Sequence, residues 1–193
     1  NPANGRALYA DANGNPTYIV GDATLKYIET ALPTSYGGLS NTFSFGPISL
    51  DVFFQYEYGR VRQDGQYTQM MRMAGATVNT LLYGYETRWQ KPGDITNTPR
   101  MDAGRGADFN AASTRWLTDA SFINLRNINL SYVIPQRLMA KAGITGATIF
   151  ATAENVFFKS KRVGMNNQQA FSGVTSNAYP PARIISGGIS LTL

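Results

Sequence analysis

Hydrophobic and polar residues alternate with a period of two along five stretches of the chain, the pattern of strands that show each face to a different medium. Residues 36–46 set Leu39, Phe43 and Phe45 against Ser40, Thr42 and Ser44. Residues 48–58 are the clearest: Ile48, Leu50, Val52, Phe54, Tyr56 and Tyr58 alternate with Ser49, Asp51, Phe53, Gln55 and Glu57. Residues 122–134 alternate well from Ile128 to Ile134, but Ile123 and Leu125 have the opposite parity. The break requires a bulge near Arg126 or an inward-facing apolar pair. Residues 147–158 are ambiguous, and Glu154 assigns Thr148, Thr152 and Glu154 to the wet face. The last stretch, RIISGGISLTL, places Arg183, Ile185, Gly187, Ile189, Leu191 and Leu193 on one face and Ile184, Ser186, Gly188, Ser190 and Thr192 on the other. A soluble sheet seldom leaves such a strand uncovered, because its edge invites aggregation. A transmembrane β-barrel does so with its apolar face toward lipid.

The connections sharpen this reading. Gly46-Pro47 is a tight turn, and 135–146 is a compact one whose PQRLMAKAG reads as one or two helical turns. Between these short links lie long ones, 59–121 and 159–182. Short inner turns with long outer loops are the barrel rule. The expected organisation is therefore an outer loop over 1–35, a hairpin over 36–58, a long outer loop over 59–121, two strands over 122–158, an outer loop over 159–182 and a terminal strand over 183–193. Within the first long loop, apolar residues of QYTQMMRMAGATVNTLLY recur at helical spacing and predict an amphipathic helix near 66–83. The fold class is all-β: about five C-terminal antiparallel strands of a large transmembrane β-barrel with long extracellular loops.

Composition narrows the chemistry. The 193 residues include no histidine and no cysteine, which removes the commonest general base, most zinc ligation and thiol nucleophiles. Ser113, Thr114 and Ser121 thus lack a histidine to activate them. Asp51 and Glu57 lie six residues apart on one strand face, about 20 Å by strand rise, too far for paired-carboxylate hydrolysis. No catalytic residue, metal or cofactor is expected. The Asp11–Asn15 run DANGN lacks the further carboxylates of a calcium loop and reads as an Asx/Gly turn. Charged residues are only 15% against 12% aromatics, which suits a barrel with interfacial girdles. The chain opens without a signal sequence, so an exported protein is expected here in processed or truncated form.

Several phrases resemble one family. SFINLRNINLSYVIP, ATIFATAENVFF with Asn155 and Phe157, and AYPPARIISGGISLTL are similar to closing segments of the SusC/RagA family of TonB-dependent outer-membrane transporters. ALYADANGNPTYIVGDA, SYGGLSNTFSFGPISLDVFFQYEYG and RWQKPGDITNTPR follow the same family order. The resemblance implies that this chain is the C-terminal part of a barrel of about 22 strands around a plug. The plug and the TonB-contacting segment would then lie N-terminal to Asn1. It implies energised import of an oligosaccharide or oligopeptide with a SusD-like surface lipoprotein, in the outer membrane of a Gram-negative, Bacteroidetes-like bacterium. Two departures stand out: GMNNQQ at 164–169 replaces an acidic family stretch, and Leu193 replaces a terminal Phe. A structural or adhesin-like barrel without transport is the alternative, and a soluble β-sandwich enzyme a third.

The candidate ligand-binding residues are Arg88, Trp89, Trp116 and Tyr179, with Arg115 beside them, because aromatic faces and arginine forks suit sugar rings or peptide groups. Of seventeen Lys and Arg, only Arg126, Arg137 and Lys141 fall outside the outer segments and the strand start at Arg183. Lys159, Lys161, Arg162 and Arg183 meet no acid within their own loop, and point to lipopolysaccharide phosphates or an acidic partner. The bases do not follow a groove-sized element, so nucleic acid is not an expected partner.

Overall fold

A computed structural model describes residues 1–28, 30–73, 79–139, 143–161, 167–168, 173–175, 179 and 181–192. The chain divides into two compact units, one of residues 30–61, 119–171 and 178–193, the other of residues 1–29, 62–118 and 172–177.

The first unit is a five-stranded antiparallel meander: β1 (Ser35–Phe45), β2 (Ile48–Tyr58), β3 (Phe122–Val133), β4 (Gly146–Ser160) and β5 (Ile184–Thr192). Strands lie side by side in chain order, each hydrogen-bonded to the next. The fourth strand runs two residues beyond the expected end, and the last begins at Ile184, so Arg183 precedes it. The β1–β2 hairpin turns on Gly46 and Pro47, with Gly46 at φ 55°. A II′ turn takes glycine at its first central position for this reason.

The register sorts the two faces. One rung is Phe45, Ile48, Tyr132, Ile149 and Ile189; the next is Phe43, Leu50, Leu130, Ala151 and Gly187. This apolar face is open: Phe45 is 86% exposed, Ile185 75% and Ile189 65%. The rung that follows these, on the opposite face, is a polar one of Thr42, Asp51, Asn129, Thr152 and Ser186. The Thr42 hydroxyl donates to Asp51 Oδ1 at 2.6 Å and Asn129 Nδ2 to Asp51 Oδ2 at 3.1 Å, while Thr152 and Ser186 hydroxyls bond at 2.6 Å. Thr148, Thr152 and Glu154 share this polar face, as their alternation with Ala147, Ala151 and Ala153 required. Aromatics on it lie over glycines: a Cβ on Gly188 would stand 2.7 Å from Phe150 and one on Gly38 2.8 Å from Phe53. A neighbouring ring thus fills the gap left by a strand glycine.

The parity break in β3 is a bulge. Asn127 pairs with Phe53 and Leu125 with Phe54, leaving Arg126 without a counterpart on β2. Ile123 and Leu125 are thereby returned to the apolar face, opposite Tyr56 and Phe54. The irregularity continues into β4, where Asn155 and Val156 stand against Arg126 alone. Asn155 takes φ 51° and donates from Nδ2 to the Ala182 carbonyl at 3.0 Å. Asparagine tolerates this left-handed conformation better than most residues. The Asn155 of the family-like phrase is therefore a bulge residue here, tying β4 to the chain entering β5.

All the long connections leave one end of this sheet, after Tyr58 and Ser160 and before Ser35, Phe122 and Ile184. The other end carries the hairpin and the link from β3 to β4. Among the described residues that link holds the 3-10 turn Gln136–Leu138; Lys141 lies outside the described residues. No helix among the described residues is long and apolar enough to cross a membrane.

The second unit is built from short pieces. Tyr9–Ala10 pairs with Pro16–Thr17 around the Asp11 turn, whose Oδ1 accepts from the Asn13 and Asn15 amides at 2.8 Å. A three-stranded sheet is ordered Leu117–Asp119, Val61–Asp64, Val174–Thr175. Where a single helix is expected near 66–83, the described residues hold two, α1 (Gly65–Met70) and α2 (Leu82–Thr87), and residues 74–78 lie outside the described set. Asp64 Oδ1 caps α1 at the Tyr67 amide, 3.0 Å away. Beyond it the carbonyls are taken from outside the helix: Leu81 N bonds Met70 O, Thr80 Oγ1 bonds Arg72 O and Asp102 N bonds Met73 O. Helical spacing of apolar residues could not reveal these competing partners. Met71 and Met73 are buried against Gly84, where an added Cβ would stand 2.9 Å from the Met71 sulfur.

Candidate functional site

The expected binding residues fall into separate settings. Arg88 stacks its guanidinium 3.8 Å over the Tyr85 ring, and its Nη1 donates to the Tyr85 carbonyl. Trp89 is half-buried: its indole N–H donates to the Pro2 carbonyl at 2.9 Å, and its ring covers Gly5 so closely that a Cβ there would stand 2.5 Å away. Gly5 also sits at φ 68°, so glycine is required twice over. Trp116 is only 2% exposed; its Nε1 donates to the Ala111 carbonyl at 2.9 Å and the Tyr67 ring meets it edge-on at 6.5 Å. The two tryptophans, expected as ligand platforms, thus carry the packing of their unit. Tyr179 belongs to the strand unit and is 90% exposed.

Around these residues the charges are locally answered. Asp108 accepts from Arg105 Nη1 at 3.0 Å and faces Arg6 Nη2 at 3.7 Å, while Arg6 also lies 4.3 Å over the Tyr18 ring. Arg100 holds Asp102 at 2.8 Å and the Asn4 carbonyl at 3.0 Å; the Arg100 hydrogen bond keeps the Asp102 carboxyl below its usual range. Asp94 is lowered by the amides of Gln90 and Lys91, both donating to its Oδ2 at 3.0 Å. In the strand unit, Ser121 lowers Asp119 by hydrogen bonding, and Lys161 adds to that from the next connection. The basic loop is therefore not without an acid: Asp119 answers Lys161 from another segment, which spacing along the loop could not show. Lys159 is on the apolar face in register with Ile123, and Arg162 lies outside the described residues. Among the described residues no group of three or more carboxylates is placed to hold a metal ion.

No protein-family model matches the chain. Among curated proteins it is similar to TonB-dependent receptor P39 of Formosa agariphila, 27% identical over 180 residues, covering 92% of this chain and 17% of the relative. TonB-dependent receptor P26 of the same organism is 26% identical over 212 residues, covering 97% and 20%. Among solved structures the RagAB peptide transporter superposes with a TM-score of 0.80 at 27% identity, over 99% of this chain and 21% of that one. The chain folds as a stretch of a TonB-dependent outer-membrane barrel and is similar to the SusC/RagA type. The RagAB peptide importer in its open-open state fits equally well, TM-score 0.80 over the whole chain at 24% identity. This stretch spans about a fifth of the length of the proteins it matches. The apolar face of the five strands is then the lipid face of the barrel and the polar rung through Asp51 its lumen face.

Proposed function

We propose that the whole protein imports a nutrient too large for porins, an oligopeptide or oligosaccharide, across the outer membrane of a Bacteroidetes-like bacterium. This chain supplies the C-terminal strands and long outer loops. A SusD-like lipoprotein acts as surface partner, and the TonB complex engages a segment outside this chain. The fit of the strand unit and its connections to a peptide importer supports the reading. Arg88 and Tyr179 serve as ligand contacts, while Trp89 and Trp116 hold the loops that present them. Lys159, at the end of β4 from which the long loops leave, meets lipopolysaccharide phosphates.

Uptake of a labelled oligopeptide and of a labelled oligosaccharide by cells carrying the full-length protein tests this. Import of one of them is expected to stop when TonB is removed and to fall when the adjacent lipoprotein is deleted. A protein that reaches the surface while uptake of both stays independent of it would support a structural or adhesin-like barrel instead.

A further inference from the structure

Arg115 differs from the other arginines that surround it in the loop unit. Arg6, Arg100 and Arg105 each face a carboxylate, whereas Arg115 has neither an ion-pair nor a side-chain hydrogen-bond partner among the described residues. It is also partly buried, with its Cζ 4.4 Å over the Trp116 ring. A guanidinium has five N–H donors, and at Arg115 they are left for water or a ligand to answer. Burial pushes its pKa down, and the Tyr67 and Tyr9 phenols are near enough to act the other way. The acid that shares Tyr9 with Arg115 is already committed: Asp108 serves Arg6 and Arg105, and its carbonyl accepts from the Tyr9 hydroxyl. Arg6 and Arg105 therefore share this one carboxylate, and the cation left over is the one on the indole.

We propose that Arg115, stacked on Trp116 beside Tyr9 and Tyr67, is a seat for a carboxylate of the imported peptide. Stacking on the indole spends the face of the guanidinium and leaves its edge, the fork that matches a planar carboxylate with two parallel hydrogen bonds. A weakly hydrated, partly buried cation has less water to shed than an exposed one, and the bound anion supplies the charge that Asp108 does not. Trp116 thus contributes as the platform that holds Arg115, which is why it can be buried and still matter. Arg115 is a binding residue of the loops, with no part in any covalent step. The inference rests on the import reading above and narrows its substrate to peptides that present a carboxylate, at the C-terminus or on a side chain.

The test uses the purified full-length transporter with its lipoprotein partner and three probes: penta-alanine as the free acid, its C-terminal amide, and the amide with a central glutamate. Wild type is expected to prefer a carboxylate probe over the neutral amide by roughly tenfold or more, the scale of one charge-assisted pair. Preference for the free acid identifies the C-terminus; preference for the glutamate peptide identifies a side chain. Arg115→Gln should abolish the preference, and Arg115→Lys, which keeps the charge without the fork, should retain part of it. Heat-modifiable migration on gels reports whether each variant is a folded barrel. A folded Arg115→Gln or Arg115→Lys protein with the full preference would overturn the proposal, as would equal wild-type binding of all three peptides; peptide import would survive either result. No binding of any peptide, with uptake of oligosaccharide, would sink the peptide reading together with this inference.

Discussion

Inserting one alanine between Phe53 and Phe54 should prevent assembly of the barrel, whereas Arg126→Ala should barely disturb it. Arg126 is the extra residue that lets Ile123 and Leu125 rejoin the face of Phe54 and Tyr56. The insertion gives Arg126 a counterpart on β2, and the continuous ladder that then forms exchanges the faces of both strands beyond it. Asn124, Gln55 and Glu57 would then meet lipid, and Ile123, Leu125, Phe54 and Tyr56 would turn to the lumen. Burying an unpaired amide in hydrocarbon costs about 4–8 kcal/mol, to which the lost apolar burial adds. The Arg126→Ala variant keeps the backbone count and loses only the bond from Arg126 Nη1 to Gln55 Oε1, 2.8 Å long, worth about 1 kcal/mol. Heat-modifiable migration of the full-length protein in outer-membrane fractions separates the outcomes. Equal assembly of the insertion variant would show that the bulge does not set the faces of the strands.

Val52→Arg is the second large effect. Val52 lies midway along β2 on the lipid face, in register with Asn41 and Ile128. An arginine at mid-membrane on that face costs about 2–4 kcal/mol. Ser190→Arg places the same charge on the opposite face of β5, in register with Thr148, where water and polar neighbours receive it. Surface level and urea midpoint of the refolded barrel should fall for Val52→Arg and change little for Ser190→Arg. Equal damage from both would mean that the two faces have been exchanged.

The strands were legible because each obeys one rule over about ten residues: water on one side, hydrocarbon on the other. Even the fault in β3 was visible, since Ile123 and Leu125 break parity with Ile128, although a bulge and an inward apolar pair remained equal options. Pairing with β2 decides between them. The loops follow no such rule. The helix expected over 66–83 divides because Leu81, Thr80 and Asp102 capture carbonyls that an unbroken helix would use, and two of these partners are hydroxyl or distant backbone donors. The short strands around Tyr9, Val61 and Leu117 span two to four residues, too few to show a period. Arg88, Trp89, Trp116 and Tyr179 were chosen for chemical type, and type does not reveal burial: Trp116 and Tyr179 lie at opposite extremes of exposure. Arg115 could not be singled out among its neighbours, because which arginines find a carboxylate is a property of the folded loop unit.

The orientation of the barrel wall underlies every lumen, lipid and loop assignment, and impermeant thiol labelling of intact cells measures it directly. The chain has no cysteine of its own, so single substitutions report without background from this segment. Asn167, in the second long connection, is fully buried and would stay silent on either side. Ile95, in the 59–121 connection, is 91% exposed, and Leu138, in the short link between β3 and β4, is 69% exposed. Ile95→Cys in the full-length protein should react on intact cells, and Leu138→Cys only after the outer membrane is opened. The reverse pattern would contradict the account and invert the topology of the whole segment.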